Sequence, residues 1–150
     1  AIADLWLSQN KAVQAIDTYR RIIKIRPNDV VALNNLANLL AEQPGGTDEA
    51  IQHIDQAIRI AGRQPLLLDT KGVILMIGSR VEEAIPIFEI AAASSPDPRL
   101  TFHLYIALSR AGRDQEAARI RTKIKVEELR KTLLTPDDQV ELAKFEAATL

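Results

Sequence analysis

The chain has 150 residues, 47% of them hydrophobic and only 4% aromatic, with a formal net charge of −1. This is apolar material for one array-sized core, and the near-neutral balance supplies no field that would draw nucleic acid or an anionic membrane surface. No apolar run approaches the ~20 residues of a membrane-spanning helix, and the absence of cysteine excludes disulfides and thiol chemistry while leaving the compartment open.

From the N-terminus, Ala3, Trp6, Ala15, Tyr19 and Ile22 recur at helical spacing up to Pro27, so residues 1–29 read as a partial helical hairpin whose first helix is cut short. The chain opens at Ala1 inside this pattern without an initiator methionine, as a piece of a longer protein would. Ile2, Leu5 and Trp6 then belong to a surface that an earlier segment would cover, and self-association through this end is expected. A second unit, residues 30–64, runs through Leu33, Leu36, Ala37 and Leu40, breaks at Pro44-Gly45-Gly46, and resumes with Ala50, Ile54 and Ala57 as far as Gly62. Asp48 and Glu49 place negative charge in the first turn of its second helix, where the helix dipole favours it.

The third unit, residues 65–97, is the clearest: Leu68, Gly72 and Leu75, a turn at Ser79, then Ala84, Phe88 and Ala91, closed by Pro96. Ser79-Arg80-Val81-Glu82 reads as a capping box, and Gly78 before it suits a helix C-terminus. Pro86 should kink the second helix without ending it, because the apolar period continues on both sides. The fourth unit, residues 98–131, carries Leu104, Leu108, Gly112, Ala117 and Ile124 but diverges. Tyr105 stands in the place of Ala37 and Gly72, and Arg121 in the place of Ile54 and Phe88, which predicts looser packing. Its apolar stripe moves from Ala117, Ile120 and Ile124 to Val126, Leu129 and Leu133. Thr135 as N-cap and Pro136 at the first position then open a terminal helix over 136–149. Val140, Ala143 and Ala147 are its predicted inner face, covering the open end of the stack.

Alanines 15, 50, 84 and 117 fall 35, 34 and 33 residues apart, a period that marks stacked helical hairpins. Small residues at Ala37, Gly72, Ala50 and Ala84 let paired helices approach, while Phe88 and Tyr19 fill the space between hairpins. This alternation resembles the tetratricopeptide repeat (TPR) family over roughly residues 1–125. The resemblance implies an all-α, right-handed α-solenoid of stacked helix-turn-helix repeats with a C-terminal capping helix. It also implies a non-catalytic scaffold that binds a segment of a partner protein in its concave groove. The runs Glu82-Glu83-Ala84-Ile85-Pro86 and Ala111-Gly112-Arg113 look like those of large bacterial TPR proteins of envelope assembly and polysaccharide export. A soluble protein of the bacterial cytoplasm or periplasm is the corresponding expectation. The alternative is a regulatory or targeting segment of an enzyme whose catalytic domain lies outside these residues.

In such arrays the first helix of each hairpin lines the groove. The predicted lining is Asn34, Asn35, Asn38 and Glu42; Asp69, Thr70, Val73, Met76 and Ile77; and Arg99, Phe102, His103, Ile106 and Arg110. Asn34, Asn35, Asn38, Thr70, Val73 and His103 are the candidate binding residues, since an asparagine amide can clamp an extended backbone with both a donor and an acceptor. Met76 and Ile77 either receive an apolar side chain or pack against the next hairpin. The chaperone-tail clamp of some TPR domains falls on Asn34, Asn38, Thr70, Arg99 and His103; only the asparagines and Arg99 fit, and its leading lysine is missing. The asparagine ladder of sugar-transferring relatives is matched by Asn35 alone.

No catalytic, cofactor or metal site is predicted. His53 and His103, the two histidines, lie on different hairpins without metal-ligand spacing, and Gly45-Gly46 is a turn between helices rather than a phosphate loop. The basic run Arg119, Arg121, Lys123, Lys125, Arg130 and Lys131 is interrupted by Glu127 and Glu128 and reads as a solvated helix face, not a nucleic-acid surface.

Overall fold

A computed structural model describes residues 2–148, with side chains from residue 11 onward. Its described residues form helices and no strands: α1 (Ile2–Ile25), α2 (Val30–Ala41), α3 (Thr47–Ala61), α4 (Pro65–Ile77), α5 (Val81–Ser94), α6 (Pro98–Arg110), α7 (Asp114–Arg121), α8 (Val126–Leu129) and α9 (Pro136–Ala147). Each of α1 to α6 packs on the next, and α4 also touches both α2 and α6, two helices away on either side. Short links make successive helices antiparallel, so α2, α4 and α6 run the same way, side by side. They form the inner layer of a curved stack, with α3, α5 and α7 outside. The chain is thus an all-α solenoid.

Residues 2–25 form one uninterrupted helix where the N-terminal pattern predicts part of a hairpin. No glycine or proline occurs between Ala1 and Pro27, so nothing forces a turn. The side chains of Ile2, Leu5 and Trp6, on which the expected N-terminal patch rests, lie outside the described ones.

Three of the four alanines of the repeat do what their spacing predicts, whereas Ala15 on α1 is only partly buried. Ala50 and Ala84 are fully buried and Ala117 nearly so, each where a second helix meets its hairpin partner. Gly72 shows why a small residue is required: a Cβ built there would stand 2.5 Å from the Phe88 ring. Phe88 is itself fully buried and reaches the next hairpin, its ring centroid 5.7 Å from that of His103. One aromatic ring therefore joins α4, α5 and α6.

Three local expectations change. Ser79 is not the N-cap of α5: that position belongs to Arg80, which makes no side-chain cap bond. The link from α4 to α5 is so short that Ser79 must close α4 instead, at φ 59°. The Arg80 N–H donates to the Leu75 carbonyl (2.8 Å) and the Ser79 N–H to Met76 (3.1 Å), a Schellman motif with serine in the left-handed position. The same bonds run from Arg113 to Leu108 and from Gly112 to Ser109, with Gly112 at φ 70°. Arg80 and Arg113 then each grip a glutamate three residues on, Glu83 and Glu116, at 2.7 Å. Pro86 does not end α5, which runs on to Ser94.

The second change concerns Tyr105 and Arg121. They are not gaps in the packing but partners: the Arg121 guanidinium donates to the Tyr105 hydroxyl (3.1 Å) and to the Phe145 carbonyl (3.0 Å). It also lies 4.3 Å from the Phe145 ring centroid, a cation–π contact. The departure from the small/large pattern thus forms the seat of α9.

The third change is the face α9 presents. Thr135 and Pro136 open it as predicted, with Thr135 and Asp138 completing a reciprocal capping box. Val140, Ala143 and Ala147 nevertheless face solvent; Asp138, Leu142 and Phe145 are buried instead. Leu142 and Phe145 join Phe102, Ile106 and Leu129 in a separate apolar cluster, and Leu133, predicted to share the stripe of Leu129, stands out in solvent. The inner stripe is set by the aromatic seat on α6 and α7, which a helical wheel drawn for α9 alone does not contain.

Candidate groove on the concave face

Where α2, α4 and α6 lie side by side and α9 closes one end, they enclose a groove of about 550 Å³. From α2 and its C-cap it takes Asn38 and Glu42; from α4, Asp69, Thr70, Val73, Met76 and Ile77; from α6, Arg99, His103, Ile106 and Arg110. Leu133, Thr135, Pro136, Asp137, Asp138 and Glu141 complete the wall. Of the predicted binding residues, Asn38, Thr70, Val73 and His103 come together here. Asn34 and Asn35 do not. The Asn35 amide donates to the Tyr19 hydroxyl at 3.0 Å, tying α2 to α1, and Asn34 is half-buried with an Oδ1 that has no hydrogen-bond partner among the described residues. Phe102, predicted to line the groove, is covered completely by the α9 cluster. Met76 packs into the cores on either side, whereas Ile77 remains about half exposed.

His103 occupies the centre of the wall and is almost fully buried. Its Nδ1 lies 2.6 Å from the Asp69 carboxylate and its Nε2 3.0 Å from the Asp138 carboxylate, so one ring links α4, α6 and α9. Burial by itself would lower the histidine pKa. The hydrogen bonds and charges of Asp138 and Asp69 outweigh it and raise the pKa to about 9. Asp138 responds in the opposite direction: burial pushes its pKa up, but the bond and charge of His103 and the two bonds with Thr135 hold it at about 2. As an imidazolium donating from both nitrogens, His103 has no lone pair with which to accept a proton. The two carboxylates sit on opposite edges of the ring and cannot converge on one ion with it, and no metal-holding cluster occurs among the described residues. The arrangement holds rather than reacts. Asp138 is the member that sequence reading missed, although the Thr135-x-x-Asp138 capping box that orients it was present in the sequence.

The other cations of the wall are also engaged. Arg99 grips Asp97 at 2.6 Å, which holds the Asp97 carboxyl below the usual carboxylate range, and Arg110 meets Glu141 at 3.0 Å. Glu42 and Asp137, in contrast, take part in no ion pair among the described residues.

Comparison with known proteins agrees with this architecture. Residues 18–52 match the family model described as tetratricopeptide repeat. Among solved structures, the chain is similar to TTC0263, a thermophilic TPR protein of Thermus thermophilus, with a TM-score of 0.73 and 19% identity over 94% of this chain and 76% of that one. It is also similar to MamA, with a TM-score of 0.67 and 18% identity over 82% of this chain and 72% of that one. A second MamA structure gives 0.66 and 18%, over 80% and 66%. At these identities the structures speak for the fold alone. No curated protein sequence matches the chain. Residues 18–52 thus carry a tetratricopeptide-repeat unit, and the chain as a whole has the fold of stacked repeats of this kind, an architecture that generally serves as a scaffold for protein–protein interaction. No described helix is long and apolar enough to cross a membrane.

Proposed function

We propose that the chain is a non-catalytic interaction module that holds a segment of a partner protein in the groove between α2, α4, α6 and α9, with Asn38, Thr70, Val73 and His103 on its wall. The observation that carries this reading is the juxtaposition, on one concave surface, of exposed polar and apolar groups. Asn38 is exposed and available to bond a peptide backbone, while Ile77 and Leu133 offer apolar surface on the same wall. Backbone hydrogen bonding next to a side-chain pocket is how grooves of this kind take up peptide segments.

The test is a pull-down with the isolated array, followed by the double variant Asn38→Ala/Ile77→Ser. Both side chains are exposed, so folding should be almost unchanged. Loss of one buried hydrogen bond and one apolar contact should weaken capture by about 1–3 kcal/mol. A partner bound equally well by the double variant would move attention to the convex face.

A further inference from the structure

We infer that the segment held in the groove carries a lysine or arginine that pairs with Glu42, next to an aliphatic side chain on Ile77; the inference rests on the groove being the binding surface. It is founded on charge complementarity. Every cation on the wall is already matched within the molecule: Arg99 by Asp97, Arg110 by Glu141, and His103 by Asp69 and Asp138. These pairs leave no positive charge for a ligand, whereas Glu42 and Asp137 remain available.

The two available carboxylates are not equivalent. Asp137 lies in the first turn of α9, where the positive end of the helix dipole offsets part of its charge. Glu42 is the C-cap of α2, a helix with no basic residue in its last turn. Its carboxylate therefore adds to the negative end of the α2 dipole instead of opposing it. The parallel course of α2 and α4 brings the C-terminus of α4, also without a basic residue in its last turn, to the same end of the groove. With no basic side chain in the last turn of either helix, the available carboxylate of Glu42 makes this a negative part of the wall, and Ile77 stands at the end of α4. An acidic tail is repelled there. A segment with adjacent basic and aliphatic residues is attracted and finds apolar surface within reach.

Fluorescence anisotropy with three short labelled peptides tests this on the whole chain: leucine alternating with lysine, with glutamine, or with glutamate. The leucine–lysine peptide should bind about tenfold more tightly than the leucine–glutamate one at low salt, a preference that salt screens. Glu42→Gln, at an exposed site, should abolish most of that preference without changing the melting temperature. Equal binding of the three peptides, lost in Asn38→Ala/Ile77→Ser, would overturn the charge assignment and keep the groove. Absence of binding by all three, or binding indifferent to that double variant, would overturn the groove itself. Self-association of the chain that Glu42→Gln reverses would replace the partner protein with a second copy, and sedimentation velocity reads it.

Discussion

His103 ties three helices through one side chain, because its ring satisfies carboxylates from two other helices, and it packs at a tilt against the Phe88 ring. Removing it as His103→Ala leaves Asp69 and Asp138 buried and uncompensated, and should cost about 3–5 kcal/mol in chemical denaturation. Its pH dependence has a defined sign. The folded pKa of about 9 lies above the ordinary 6.5, so the contribution of His103 is complete below pH 6.5 and is lost as the pH rises through about 9. Asp138, at about 2 against 3.8, contributes fully above pH 3.8 and loses its effect as the pH falls through about 2. Melting temperature should therefore be flat between pH 3.8 and 6.5 as far as this clamp is concerned, and decline towards pH 9. The alkaline decline should shrink in His103→Gln; an identical decline there would place its origin elsewhere. Ser79 makes a second prediction at this scale. It holds the left-handed position that Gly112 takes in the next repeat, at a cost glycine does not incur. Ser79→Gly should stabilise the chain by about 0.5–1 kcal/mol, and a lowered melting temperature would contradict the Schellman geometry.

Among the elements, α9 is the one whose position was least visible in advance. Thr135, Pro136 and the start of the helix could be read from the sequence because an N-cap is a local arrangement of a few residues. Its inner face could not, because Val140, Ala143 and Ala147 make an acceptable apolar stripe until Tyr105 and Arg121 are placed opposite. Phe145 then has two rings to meet edge-on, Phe102 at 6.0 Å and Tyr105 at 5.1 Å, and a guanidinium over its face. Phe145→Ala should release α9 while leaving the stack folded: amide exchange over residues 136–147 should accelerate by orders of magnitude and that of α2 to α5 should not change. Uniform acceleration throughout would mean that α9 is integral to the stack.

For the whole molecule, stability is the sum of hairpins and the interfaces between them. Ala84 is fully buried at the centre of the array, within the cluster that joins α4, α5, α6 and α7. Ala84→Glu should cost several kcal/mol, on the order of the entire stability of a small domain, and circular dichroism melting reads it directly. An unchanged melting temperature would show that the repeat register is wrong.

The solenoid is written in the chain, because a recurrence of small and large residues every 34 positions or so states the same steric requirement in each repeat: Ala50 and Ala84 must touch a neighbour, as Gly72 must lie under Phe88. Such requirements are local in each hairpin and need no knowledge of the whole. The groove was legible only in part. Asn38, Thr70, Val73 and His103 follow from helical register alone. Asn35 turns to Tyr19 on α1, however, and Phe102 disappears beneath Phe145. The Asp69–His103–Asp138 clamp needed the tertiary structure, because it joins residues 34 and 35 positions apart through a terminal helix whose orientation is set by aromatic contacts, and no periodicity in the chain encodes where a helix outside the repeat comes to rest.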